Sequence, residues 1–305
     1  MEKGKKIWMD GKLVDWDDAK IHILTHTLHY GFGVFEGTRC YKTVSGSAIF
    51  RLDEHLERLY NSAQILTIEI PVSIEKMAQA SKEVIKANGY EECYLRHIVY
   101  IGDGELGLGT MTNPVRAAIA VWKWGAYLGE EGLKKGIRLK TASYVRLPVN
   151  SFPAKAKAVG NYVNSILAKR EVLKAGYDEA LMLDTSGYVA EASGENIFLV
   201  FGKTIITPPE SSSILNGITR KSVIELATDL GYTVKQETFP RDTVYIADEV
   251  FLTGTAAEVT PVREVDNRKI GQGSAGPTTL KIQSEFFKIV LGKNPNYKKW
   301  LAYID

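Results

Sequence analysis

The sequence predicts an α+β fold in two domains, and three observations predict it. Strand-like runs are mostly joined by tight turns, the helical stretches stand apart from them, and the texture changes near the middle of the chain. With 305 residues, of which 45% are hydrophobic and 24% charged, the chain has the length for two domains and the apolar content for two cores.

The first stretch reads as short strands. Ile7-Trp8-Met9 and Leu13-Val14-Asp15 flank Asp10-Gly11, a hairpin dipeptide because glycine tolerates positive φ. A second hairpin joins Thr38-Arg39-Cys40-Tyr41 to Ala48-Ile49-Phe50 across Ser45-Gly46. Leucines at 52, 56 and 59 repeat at helical spacing, and Ser73 is placed to cap another helix that runs toward Asn88-Gly89. Tyr94 to Ile101 and Ala117 to Trp124 read as strands joined by a glycine-rich loop.

Gly125, Gly129, Gly132 and Gly136 then surround a charged, polar segment. The division expected is a small α/β domain over 1–124, an interdomain linker over 125–136 and a larger domain over 137–305. In the second half, Ile137 to Arg146 reads as a strand. Asn161 is placed to cap a helix that Gly176 stops. Ala180–Leu183 and Tyr188–Glu191 flank a Thr185-Ser186-Gly187 turn. Thr219 to Leu230 is helical up to Gly231, Glu249 to Thr253 is a short buried strand, and Thr278 to Leu291 is an amphipathic helix.

Composition excludes several function classes. A formal net charge of +2 gives no basic field, so nucleic acid is not an expected partner. The basic N-terminus leads into no apolar signal core, and no apolar stretch approaches the ~18 residues of a membrane span. Cys40 and Cys93 have neither a second cysteine nor a histidine at metal-ligand spacing, so no metal is expected and both read as core thiols in a reducing compartment. The reading is a cytoplasmic protein without membrane association. Gly102-Asp103-Gly104-Glu105-Leu106-Gly107 fits the dinucleotide pattern and follows a strand, but glycines, Pro114 and another strand come next where the mechanism needs a helix. It reads as a hairpin loop.

Four segments carry chemistry. In Ser151-Phe152-Pro153-Ala154-Lys155-Ala156-Lys157-Ala158-Val159-Gly160-Asn161-Tyr162, two lysines sit among small apolar residues before a helix. Partial burial disfavours an ammonium, and a lysine that loses its proton forms imines with carbonyls. Composition does not choose between Lys155 and Lys157. Glu191 sits where a strand meets a small-residue turn. Such an acid suits the ring nitrogen of pyridoxal phosphate, which must be protonated for the ring to act as an electron sink. Leu215-Asn216-Gly217-Ile218-Thr219-Arg220 opens a helix, with backbone N–H groups and a hydroxyl suited to phosphate. Thr253-Gly254-Thr255-Ala256-Ala257-Glu258 is a small-residue turn whose amides an anion can approach closely.

Taken together with further markers in order along nearly the whole chain, these segments resemble the fold-type-IV pyridoxal-phosphate enzymes, and among them the branched-chain amino-acid aminotransferases. The markers are His29 to Arg39 (HYGFGVFEGTR), Glu57-Arg58-Leu59, Tyr94-Leu95-Arg96, Trp124 to Gly129 (WGAYLG), Lys157 to Tyr162 (KAVGNY), Glu191 to Asn196 (EASGEN), Gly217 to Arg220 (GITR) and Gly254 to Ala257 (GTAA). The resemblance implies that Lys157, before Ala-x-Gly-Asn-Tyr, is the cofactor lysine and Lys155 a bystander. It implies that Glu191 faces the pyridine nitrogen, that Arg58, Ile218, Thr219 and Thr255 hold the phosphate, and that Tyr162 bonds the ring hydroxyl. Tyr30, Phe35, Trp124 and Tyr127 would wall an apolar pocket that Gly37, Arg39 and Tyr94 join. Arg96 with two tyrosine hydroxyls would receive a distal carboxylate, and the Ala256 and Ala257 amides the α-carboxylate.

The implied fold is D-amino-acid-aminotransferase-like, a small α/β domain and a larger barrel-like one with the cofactor between them, and the implied assembly is a homodimer or larger. The implied reaction is ping-pong transfer between leucine, isoleucine or valine and 2-oxoglutarate. Competing readings on the same fold are a D-amino-acid or (R)-amine transaminase and an aminodeoxychorismate lyase. A non-catalytic metabolite-binding protein and a nicotinamide oxidoreductase belong to other classes.

Overall fold

The computed structural model describes residues 3–125 and 127–304. Two compact units emerge: one comprises Met1–Trp124, Ala156–Asn161 and Ile289–Asp305, the other Gly125–Lys155 and Tyr162–Lys288. Two stretches expected in the second domain, 156–161 and 289–305, therefore belong to the first unit, and the stretch read as a linker belongs to the second.

The first unit opens on the hairpin β1 (Lys6–Met9) and β2 (Lys12–Asp15), whose turn has φ 48° at Asp10 and 93° at Gly11. After a short helix α1 (His26–Tyr30) come β3 (Gly33–Thr43), β4 (Gly46–Phe50), α2 (Leu52–Ile65), α3 (Ile74–Asn88), β5 (Cys93–Ile101) and β6 (Val115–Trp122). Helix α2 buries Leu52, Leu56, Leu59 and Ala63, and α3 buries Met77, Ala80, Val84 and Ile85, all in one core with Val34, Leu95, Val99 and Ile119 of the sheet. Ser73 caps α3 by accepting from Lys76 N, and Gly89 ends it at φ 68°. The two cysteines are free and buried and stand opposite each other on β3 and β5.

The sheet is antiparallel, with β3 between β4 and β5. Strand β4 covers only Cys40–Thr43 of β3, whereas β5 pairs along Gly33–Cys40. The backbone of 157–160 fills the edge that β4 leaves open. Phe35 N donates to Lys157 O at 3.0 Å, Val159 N to Gly33 O at 2.9 Å and Gly160 N to Gly31 O at 3.0 Å, around an antiparallel bridge between Val34 and Ala158. This is why six residues remote in sequence join the first unit. The strand Leu301–Tyr303 joins it likewise by pairing with β4.

The second unit holds α4 (Glu130–Lys135), β7 (Ile137–Thr141), α5 (Tyr162–Lys174), β8 (Glu179–Leu183), β9 (Val189–Ala192), β10 (Asn196–Phe201), β11 (Thr204–Thr207), α6 (Ile218–Asp229), β12 (Thr233–Gln236), α7 (Arg241–Tyr245), β13 (Glu249–Gly254), β14 (Glu258–Val265) and β15 (Arg268–Lys269), followed by α8 (Pro277–Val290) as far as Lys288. Its mixed sheet runs β12-β11-β10-β13-β14-β7-β8-β9, with β15 paired to β14. Strand β9 turns directly into β10 through a bond from Ala192 N to Glu195 O, and the sheet curls as a half-barrel over a core of Leu139, Leu181, Ile197, Leu199, Val250 and Leu252.

Some local expectations are corrected. The strand predicted to Arg146 ends at Thr141, and the one predicted to Trp124 ends at Trp122, before the polar Lys123 and the glycine-rich stretch. Asn161 does not cap α5, since its Oδ1 is buried with no hydrogen-bond partner. The 102–107 glycines lie in the loop between β5 and β6, and no helix follows them. Among the described residues no helix is long and apolar enough to cross a membrane.

Candidate active site

In the first unit the 157–160 bridge fixes Lys157 against β3, and its Nζ lies 4.9 Å from the centroid of the Phe35 ring. The Arg96 guanidinium carbon is 4.8 Å from the same centroid. One phenyl ring thus carries a primary amine and a guanidinium. Arg96 Nη2 also donates to the Tyr94 hydroxyl at 3.4 Å, while its Nε is buried with no protein partner. Tyr94 packs edge-on against Trp124, with centroids 4.7 Å apart. Gly37 makes room for this group: a Cβ there would lie 1.8 Å from the Tyr94 hydroxyl oxygen. Arg39 is turned to the Trp124 carbonyl, at 2.8 Å. Tyr30 packs at a tilt against His26, 4.6 Å between centroids, and is 43% exposed.

Arg58 lies on α2 beneath the lysine segment. Its Nε and Nη2 grip the carboxylate of Glu36 at 2.6 and 3.0 Å, and His55 Nδ1 lies 2.7 Å from the same carboxylate. Burial alone would raise the Glu36 carboxyl, but Arg58 and the hydrogen bond with His55 outweigh it and hold it well below the usual carboxylate range. One turn further along α2, Ser62 Oγ accepts from Lys157 N at 3.0 Å and donates to Arg58 O at 2.7 Å. Glu36, His55 and Ser62 carried no role in the sequence reading. The signal was present in the spacing of His55, Arg58 and Ser62, which puts three polar residues along the inward side of an amphipathic helix.

In the second unit Glu191 is buried on β9. It accepts from Arg146 Nη2 at 2.9 Å, Asn196 Nδ2 at 3.1 Å and Leu215 N at 3.2 Å, so the carboxylate is fixed by three elements. Arg146 is a further residue that sequence reasoning passed over, because an isolated arginine after a strand gives no local cue. Helix α6 starts at Ile218 with Gly217 at its N-cap and no side-chain cap, so its first N–H groups have neither an intrahelical partner nor a capping side chain. Thr219 is buried there. The turn Thr255–Ala257 joins β13 to β14 beside Thr253, whose buried hydroxyl also has no protein partner. Tyr162 is the first residue of α5, and Tyr127 stands 5.6 Å from Lys169 Nζ. Ala126, within the Trp124–Gly129 marker, lies outside the described residues.

Each unit by itself presents groups of the kinds that bind a phosphorylated pyridine aldehyde: a lysine amine in the first, and in the second a fixed buried carboxylate, an uncapped helix start with a buried threonine, and an unpartnered hydroxyl by a small-residue turn. The chain's relatives agree with this chemistry. Residues 33–265 match the family described as Amino-transferase class IV. The branched-chain-amino-acid aminotransferase of Pseudomonas aeruginosa is 50% identical over 298 residues, covering 98% of this chain and 97% of that one, and the Escherichia coli K12 enzyme of that name is 42% identical over 308 residues, covering 100% and 99%. The chain belongs to the branched-chain-amino-acid aminotransferases. The crystal structure of the T.th. branched-chain amino acid aminotransferase with pyridoxamine 5'-phosphate superposes with a TM-score of 0.97 at 51% identity, over all of both chains. That enzyme has also been seen with N-(5'-phosphopyridoxyl)-L-glutamate and with 4-methylvaleric acid, each at a TM-score of 0.95. The chain is thus an aminotransferase of fold type IV, a transferase.

Proposed function

We propose that this chain transfers amino groups between branched-chain L-amino acids (leucine, isoleucine, valine) and 2-oxoglutarate, using pyridoxal 5'-phosphate held by Lys157. The observation that carries the reading is the shared Phe35 ring, which sets the Lys157 amine and the Arg96 guanidinium on one aromatic surface. An apolar side chain is received by Phe35, Tyr94 and Trp124, with Tyr30 and Tyr127 as further walls and Gly37 and Arg39 shaping the pocket. The distal carboxylate of glutamate is received by Arg96, whose guanidinium lies beside the Phe35, Tyr94 and Trp122 rings and matches a carboxylate.

When bound, pyridoxal phosphate supplies an electron sink that acidifies the α-carbon hydrogen of an attached amino acid. The rest is done by this chain. Lys157 takes the α-proton and gives it back, and its backbone is fixed for this by Phe35, Val34 and Ser62. Glu191, held in place by Arg146, Asn196 and the Leu215 N–H, faces the ring nitrogen and keeps it protonated. Arg58, oriented by Glu36, holds the phosphate with the N–H groups of Ile218 and Thr219 and the Thr255 hydroxyl. Tyr162 bonds the ring hydroxyl, and the Ala256 and Ala257 amides take the substrate α-carboxylate. The two substrates take turns at one site, so the kinetics are ping-pong.

The protein acts in the cytoplasm as a homodimer or larger. Exposed Ile21, Ile23, Leu24 and Leu28 in the first unit support a partner surface. Light scattering is expected to give at least twice the 33.8 kDa of one chain, and a monomer mass would refute the dimer.

Two variants assayed with L-leucine and L-glutamate as separate amino donors test the reading. Lys157→Ala should lose more than the roughly 10²–10⁴-fold of a general base, because the cofactor anchor goes with it. Arg96→Ala should raise KM for glutamate far more than for leucine. Substantial turnover by the first variant, or equal losses for both substrates in the second, would sink the assignment, as would a wild-type preference for D-alanine or an (R)-amine.

A further inference from the structure

Residues 208–217 run from β11 to α6 without regular secondary structure, yet Ser213 and Ile214 in their course are buried. Irregular backbone taken out of water needs a donor for each carbonyl. Two backbone bonds serve it, from Ile214 N to Ser212 O at 2.8 Å and from Ser212 N to Pro209 O at 3.0 Å, and side chains supply the other donors. The three N–H donors of Lys155 Nζ are shared among the carbonyl oxygens of Glu210, Ser212 (3.5 Å) and Ile214 (3.2 Å) and Asn216 Oδ1 (3.4 Å). Arg146 Nε reaches Ser213 O at 3.4 Å, and Asn196 Nδ2 reaches Leu215 O at 3.0 Å. The four oxygens on Lys155 come from alternate residues, so the segment winds around a single ammonium.

This segment ends on two parts of the candidate site. Leu215 N donates to Glu191, and Gly217 opens α6 so close to Asn196 that a Cβ there would lie 2.1 Å from Asn196 Oδ1. The course of 210–216 therefore sets where the first N–H groups of α6 point. We propose that Lys155 is a positioning residue for the cofactor phosphate: its ammonium holds the 210–216 segment in the course that aims the start of α6. This rests on the reading that the start of α6 binds the phosphate.

The test compares apoenzyme binding of pyridoxal 5'-phosphate with that of pyridoxal, which lacks the phosphate. The Kd for pyridoxal divided by the Kd for pyridoxal 5'-phosphate reads the phosphate site alone. Lys155→Met should lower that ratio by about tenfold, the order of one lost charge-assisted hydrogen bond, and leave the Kd for pyridoxal nearly unchanged. An unchanged ratio overturns the proposal, and so does a parallel loss of both affinities, which would mark Lys155 as a general structural residue. If Lys155→Met does not fold, Asn216→Ala removes one of the four oxygens and should lower the same ratio by a smaller factor; an unchanged ratio there overturns the proposal equally. A wild type that binds the two compounds alike would refute the phosphate reading itself, independently of Lys155.

Discussion

At the residue scale, the sequence separates chemistry from its support unevenly. The lysine pair Lys155 and Lys157 and the acid Glu191 are marked as candidates by their neighbours: small residues, a following helix, a strand running into a tight turn. Their supporting partners are not. Glu36 is an acid in the middle of a strand, and only the fold shows that Arg58 and His55 close on it from α2. Glu195 is a related case. Burial and the repulsion of nearby Glu179 push its carboxyl up, to about 8, although Lys169 opposes them. The folded state then holds a proton that the unfolded chain releases near its ordinary value of 4.5. Stability from this group is complete below pH 4.5 and is lost as pH rises toward 8. We expect Glu195→Gln to flatten the fall in apoenzyme Tm between about pH 5 and 8. An identical pH dependence in variant and wild type would show that Glu195 does not carry that proton.

At the scale of elements, the lysine segment is the part that no local pattern foretells. Periodicity marks α2 and α3, and Asp10-Gly11 marks the first hairpin, because each is decided by residues a few positions apart. The 157–160 bridge is decided by what β4 leaves uncovered on β3, a property of the sheet. Two glycines allow it: a Cβ on Gly31, whose φ is 68°, would lie 2.9 Å from the Gly160 Cα. Gly31→Ala should cost at least about 1 kcal/mol from the left-handed backbone alone and shift Lys157, so that kcat falls with stability. Ser73→Ala, which removes the cap of α3, should cost about 1 kcal/mol and leave kcat unaltered. Denaturant titration alongside steady-state kinetics separates the two, and a Gly31→Ala variant with wild-type kcat would count against the bridge as the device that sets the lysine.

At the scale of the whole molecule, the α+β class was legible from hairpin-joined strands. The return of 156–161 and 289–305 to the first unit was not legible, because both are recruited by sheet edges far away in sequence. Composition left Lys155 and Lys157 as equal candidates. The structure gives them different surroundings, one enclosed by loop oxygens in the second unit and one lying against an aromatic ring in the first.

The central claim is that Lys157 holds the cofactor, and borohydride reduction of the pyridoxal-phosphate-loaded protein, followed by peptide mass analysis, tests it most directly. The account predicts a single pyridoxyl group on the peptide containing residues 156–161, at Lys157, with prior addition of L-leucine preventing the labelling. A label on Lys155, or no labelled lysine at all, would contradict it.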